Sequence, residues 1–454
     1  MSALRHEWRL LSRSRWAVAA LLLLLALSSL AVIGGLREVQ RQQDTIARVA
    51  TLQQEELAQQ APKLTRHGDA GTVGYYAFLG TWDAPTPAAF LALGLRDATP
   101  YVLRVRALAL QAQLHEGETY NPELALAGRF DLAFVTVYLL PLFLIALLYD
   151  LVSSERQSGR LATLLALPRA GRGLWWRRAG LRAGLASACV LLPLLAGGLI
   201  SGMSANALAA VMLAVLAYVA CWTGLALVVG LRGGSSVANA TALMGCWAAL
   251  TLVLPTLGNA VLSRAVPVQQ GTALMLAQRQ AVHGAWDLSR EETLARFFQS
   301  HPQWQDTAPL PAGFHWKWYY AFQQLGDEAV AAQVAAYRQS LLARQQATEA
   351  LGLGLPSVGL QSVLHRIAGT DLLAQLAYQD AITAFHTQLR EQLYPYLFQE
   401  RRFEAEDFAR LPRFEARAAA LDIPWGSLAA LALVGALMCS FAGRAAARVD
   451  QRCC

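Results

Sequence analysis

The residues best placed to do chemistry in this chain cluster between Ser153 and Arg178, in SSERQSGRLATLLALPRAGRGLWWRR, and that chemistry is recognition. The stretch holds one Glu and six Arg. Ser154 with Gln157 three positions on fits a capping box, in which each side chain satisfies a free backbone N–H at a helix start. Leu161, Leu164, Leu165 and Pro168 follow at i, i+3, i+4 and i+7, so they share one face of a short helix that Pro168 ends. Such a helix between two apolar segments either docks another protein or lies on lipid headgroups. Spacing alone does not choose between the two.

Chemistry of the catalytic kind is missing from the pattern. The chain has two lysines, Lys63 and Lys317, and neither sits in a glycine-rich loop. No GxxxxGK[ST], HExxH, GxSxG or SxxK arrangement is present. Seven of the eight histidines (His67, His115, His283, His301, His315, His365 and His386) fall in the polar segments without ligand spacing. They read as isolated surface or core residues, and no metal is expected. The aromatic run from Phe314 to Tyr320 reads as a packed corner, and Glu404, Glu406 and Asp407 as a solvated helix face. No Asp or Glu occurs between Arg156 and Trp286. Ion-driven carriers place carboxylates or histidines at mid-membrane, so energy should reach this chain from outside, and the chain itself should not be an enzyme. The six cysteines form no CxxC pair and no disulfide framework, and terminal Cys453 and Cys454 read as free thiols.

The elements that must position the recognition stretch are membrane spans. The chain is 55% hydrophobic and 15% charged over 454 residues, which excludes an ordinary soluble protein. Residues 1–15 make a basic amphipathic helix for the cytoplasmic surface. Expected spans cover 16–36, 130–152, 183–203, 206–231, 234–262 and 423–443. The first reads as an uncleaved anchor rather than a signal peptide. The loop 153–182 lies between the second and third spans, residues 37–129 and 263–422 are large polar insertions, and 444–454 form a basic tail. Arginines of the short loops all fall on one side of this six-span arrangement, the cytoplasmic side by the positive-inside rule. Both insertions then lie outside and should pack as one helical periplasmic domain. Gly180 and Gly184 form a GxxxG spacing suited to helix contact. The fold class expected is mainly α: a polytopic membrane protein with six transmembrane helices and a periplasmic domain built from two insertions. The basic charge serves orientation and lipid contact; nothing interleaves Arg with aromatics as a nucleic-acid binder would.

The run from Glu155 to Pro168 resembles the E-x-x-x-G-T-L-x-x-L-L-x-x-P stretch of ABC-2 type transporter permeases, with Arg160 where that family usually has Thr. The large insertions, with Pro356–Gln361 and Ala368–Asp371, are similar to the subgroup carrying the domain of unknown function DUF3526. The resemblance implies a permease of the bacterial inner membrane, with both termini cytoplasmic and no cofactor of its own, because ATP and Mg belong to a separate ABC ATPase. The coupling helix would be carried by Glu155, Arg156, Gly159, Arg160, Leu161, Leu164, Leu165 and Pro168, with the leucines seated in an ATPase cleft and Glu155 and Arg156 paired at its rim. It further implies a dimer with itself or a homologous permease. We expect export of an amphipathic or lipid-like substrate. The alternative is a mechanotransmission subunit that relays ATPase strokes to a periplasmic partner without a conduit.

Overall fold

The computed structural model describes residues 2–114, 130–166, 171–268, 271–416 and 422–452. Among the described residues, six helices are long and apolar enough to cross a membrane: α2 (Arg15–Leu64), α4 (Leu132–Gln157), α6 (Gly173–Ser201), α7 (Ala205–Leu231), α8 (Ser236–Ala265) and α16 (Trp425–Arg448). The protein is thus a mainly α, polytopic membrane protein. A short amphipathic helix, α1 (Ser2–Arg13), precedes α2 and breaks from it at Ser14, whose hydroxyl caps the Ala17 N–H. The foot helix α5 (Leu161–Ala166) follows α4.

Burial sorts the spans. Helices α4 and α7 bury about two thirds of their apolar windows, whereas α2, α8 and α16 bury only about a fifth and turn the rest outward. Helices α7 and α16 approach backbone to backbone. A Cβ on Gly224 would sit 2.6 Å from the Met438 carbonyl carbon, and one on Gly435 would sit 2.6 Å from the Ala217 oxygen. Small residues allow this contact in a bundle that has no hydrophobic drive to associate. The GxxxG pair behaves differently: added Cβ atoms at Gly180 and Gly184 would meet nothing within 4 Å.

Two spans carry π-helical segments, Val135–Leu139 in α4 and Ala249–Val253 in α8. Each lies just before a proline, Pro141 or Pro255. Proline lacks the N–H that would satisfy a carbonyl one turn back, and in lipid no water replaces it. Side chains take over: Tyr218 Oη donates to Val137 O at 2.9 Å, Trp247 Nε1 to Tyr138 O at 3.1 Å, and Ser357 Oγ to Leu250 O at 2.7 Å.

Ser357 belongs to a feature absent from the sequence expectation. Helices α12 (Ala331–Gly354) and α13 (Pro356–Ala368) form a hairpin whose tip enters the span bundle. Leu360, Val363, Leu364 and Ile367 are buried in the same core as α4, α7 and α16. Residues 263–422 are therefore not wholly outside the span bundle. The arms close on each other at Gly352 and Gly359.

Residues 88–92 of the first insertion are likewise buried in the span core, while other parts of both insertions share a second core. Helix α3 (Ala70–Tyr76), the antiparallel pair β1 (Leu79–Trp82) and β2 (Val102–Val105), α9 (Gly271–Ala285), α10 (Arg290–Ser300), α11 (Trp316–Ala329), α14 (Leu372–Phe398) and α15 (Ala405–Ala409) build this extramembrane domain. Phe297 stacks on Phe398, centroids 5.1 Å apart, and Tyr320 and Phe403 are fully buried with them. Asp327 accepts from the Leu110 N–H at 2.8 Å and pairs with Arg390 at 3.1 Å, which joins the first insertion to the second.

Candidate functional site: the foot of the span bundle

At the end of the bundle opposite the extramembrane domain, α4 runs on through Ser153–Gln157 and then turns. The structure corrects the single capped helix expected here. Ser154 is no cap, because the preceding span flows into it and its hydroxyl bonds back to Asp150 O at 2.6 Å. Helix capping on that side has no side-chain partner at all. The helix then breaks at Ser158–Arg160, where Gly159 adopts φ +72°. That left-handed position after a helix end favours glycine, since a Cβ would crowd the backbone. Helix α5 starts afresh at Leu161.

Glu155 organises the turn. Its Oε2 accepts from Arg160 Nε at 2.9 Å, and its Oε1 accepts from Arg178 Nη1 at 2.8 Å. Arg178 Nε in turn donates to Glu7 Oε1 of α1 at 3.1 Å. Glu155 and Glu7 are both largely shielded, with side chains 13% and 12% exposed. This chain of charges ties α1, the end of α4 and the start of α6 together. Alongside it, Arg182 donates to the Leu147 carbonyl. Arg156 turns inward as well. A Cβ on Gly233, in the turn between α7 and α8, would lie 3.3 Å from its Nη1, an atom buried without a hydrogen-bond partner. Ser153 Oγ meets Ser236 Oγ at 2.8 Å, a second tie to α8.

Of the expected residues, then, Glu155 has both oxygens engaged within the chain, one by Arg160 and one by Arg178. Leu161 and Leu164 are half-buried and packed against the span core. Gln157, Ser158, Gly159, Arg160, Ala162 and Thr163 are exposed. Pro168 and the side chain of Leu165 lie outside the described residues. Sequence reasoning missed Glu7 and Arg178, which sit 148 and 23 positions from Glu155; their only signal was opposite charge beside span ends. Among the described residues, no group of three or more His, Cys, Asp or Glu could hold a metal.

The foot is thus a charge-clamped turn whose outer residues are open to solvent. The ABC-2 family transporter protein family matches residues 1–288, more than half of the chain and all of the foot. The chain belongs to the ABC-2 transporter family. A domain of unknown function, DUF3526, matches residues 272–417, from α9 to just past α15. No curated protein and no solved structure matches the chain. Family membership makes this ABC-2 protein a transmembrane permease subunit of an ABC transporter, the membrane component rather than the ATPase. It implies an ABC ATPase partner and pairing of permeases.

Proposed function

We propose that this ABC-2 permease takes force from a separate ATPase through the exposed turn Gln157–Thr163 and uses it to extrude an amphipathic or lipid-like substrate. In this reading the foot is cytoplasmic, the extramembrane domain is periplasmic and the membrane is the bacterial inner membrane. ATP and Mg bind the partner, and a second copy or homologous permease completes the pathway. The observation that carries the reading is the foot's construction. Its docking turn is open to solvent, while the residues behind it are locked by Glu155, Arg178 and Glu7, so a push is passed on rather than absorbed. Arginines of α1, the foot and the Gly233 turn lie together at this end, as the positive-inside rule asks of a cytoplasmic face.

The test is reconstitution with the cognate ATPase. Deletion of Leu161–Leu165 should abolish stimulated ATP hydrolysis. Hydrolysis equal to that of the intact complex would refute the docking role. A second reading, mechanical relay to a periplasmic partner without a conduit, gains support from α2, which runs unbroken from foot to extramembrane domain over 50 residues.

A further inference from the structure

A cleft of the extramembrane domain stands well above the spans. One wall is the outer part of α2, where Gln53, Leu57 and Ala61 follow one another on a single face. The opposite wall is the segment Phe408–Phe414, with Leu79 and Trp82 of β1 at the back. Its volume is about 440 Å³. That lies within the range of small-molecule clefts, about 300–1,000 Å³, which are mainly apolar with a few placed polar groups.

The walls are fixed. Gln53 Oε1 accepts from the Gly80 N–H at 2.6 Å and ties α2 to β1. Trp82 meets Phe414 edge to face at 6.0 Å, and Phe414 is held in turn by Phe385 at 5.6 Å. Among the described residues, no carboxylate lines the cleft. Of the two that flank it on α2, Glu56 pairs with Arg104 at 2.8 Å and Glu55 is exposed. Arg413, at the rim, is exposed and meets no carboxylate among the described residues. An apolar slot with one free cation at its mouth complements an apolar chain that ends in an anion.

We propose that this cleft is a binding site for the apolar chain of an anionic single-tailed amphiphile, with the head group at Arg413. The assignment rests on the reading of the chain as an extruder of amphipathic substrates and gives that substrate a resting place beyond the membrane. Along α2, Leu36 to Leu57 spans about 32 Å at 1.5 Å per residue, so a chain held here has left the bilayer.

The probe is a diazirine-bearing dodecanoate, photocrosslinked to the full-length protein in lipid nanodiscs and mapped by peptide mass. Label should fall on residues 50–61 and 405–414 and be displaced by dodecanoate. Ala58→Trp, a change on an exposed wall position, should cut cleft labelling about tenfold, and Arg413→Gln should weaken dodecanoate about tenfold, the scale of one charge-assisted hydrogen bond. Dodecanol should bind Arg413→Gln and the parent protein equally. Label confined to the spans, or cleft label undiminished in Ala58→Trp whose thermal melt is unchanged, would overturn the site. Stimulated ATP hydrolysis, measured in the same preparations, reports separately on the permease reading: a labelled cleft without stimulation fails that reading alone, and stimulation without cleft labelling fails the site alone.

Discussion

Glu155 and Arg160 share an ion pair but differ in what surrounds them. Glu155 is shielded and holds two arginines, whereas Arg160 is 68% exposed. Removing the Glu155 charge leaves Arg178 short of a partner in a largely desolvated place, a loss of about 1–3 kcal/mol. Removing Arg160 from the surface costs about 0–1 kcal/mol. Glu155→Gln should therefore lower both melting temperature and ATPase stimulation, while Arg160→Ala should leave melting unchanged and still weaken stimulation. Full stimulation by Arg160→Ala would show that the exposed turn is not the docking surface. A second residue sets a pH response. His386 is buried on α14, and its Nε2 donates to the carbonyls of Leu108 at 2.7 Å and Arg106 at 3.1 Å. Burial, helped by the nearby Arg390 charge, pushes its pKa down to about 3. The folded value lies below the unfolded one of about 6.5, so its contribution is present above pH 6.5 and is lost as pH falls toward 3. Thermal melts from pH 7 to 5 should show declining stability, and His386→Gln, which keeps a donor without titrating, should flatten that decline. An equal decline in the variant would assign the response elsewhere.

At the scale of elements, proline, phenol and hairpin belong to one account. Pro141 denies Val137 O its helical donor, and Tyr218 supplies a substitute from α7. Tyr218→Phe should destabilise the bundle by about 1–2 kcal/mol, since the orphaned carbonyl finds no water in lipid. In a Pro141→Ala background the restored N–H should erase most of that loss. Thermal melts of the four proteins form the cycle, and additive losses would refute the link. The six apolar helices were legible as long charge-free runs, because exclusion of charge from lipid acts on composition directly. The hairpin was not. Residues 350–364, ALGLGLPSVGLQSVL, are too few for a span and lie between charged stretches, so their apolar character resembled a domain core. The foot misled for a different reason. Leu161, Leu164 and Leu165 kept helical spacing on one side of Gly159, but the capping pattern at Ser154 does not form a cap. The span that runs into Ser154 removed the free N–H groups a cap would serve, and Gly159 was the signal for a helix end that the leucine spacing masked.

Across the whole molecule, α2 is the element that runs from the foot end of the bundle to the cleft. It extends about 75 Å at 1.5 Å per residue. Near its start, α1 reaches the foot through Glu7 and Arg178. Beyond the spans, Gln42 accepts from Arg96 Nε at 3.0 Å while Arg96 also holds Asp83, and Gln53 grips β1. A tilt imposed at the foot would thus arrive at the cleft walls with little to absorb it. Spatial continuity alone does not establish coupling; a change at one end must bias the other. Ala47 lies on an exposed face of α2 between the spans and the cleft. Proline there removes one helical hydrogen bond and kinks the rod, at about 3 kcal/mol, whereas glycine costs about 1 kcal/mol and leaves it straight. If α2 transmits the stroke, Ala47→Pro should keep ATPase stimulation, because the foot is untouched, yet lose the ATP-dependent change in dodecanoate labelling of the cleft. Ala47→Gly should retain both. If α2 only anchors the domain, ATP should alter cleft labelling in Ala47→Pro as fully as in the parent, and the path of force must then run through α4, α8 and the Ser357 contact instead.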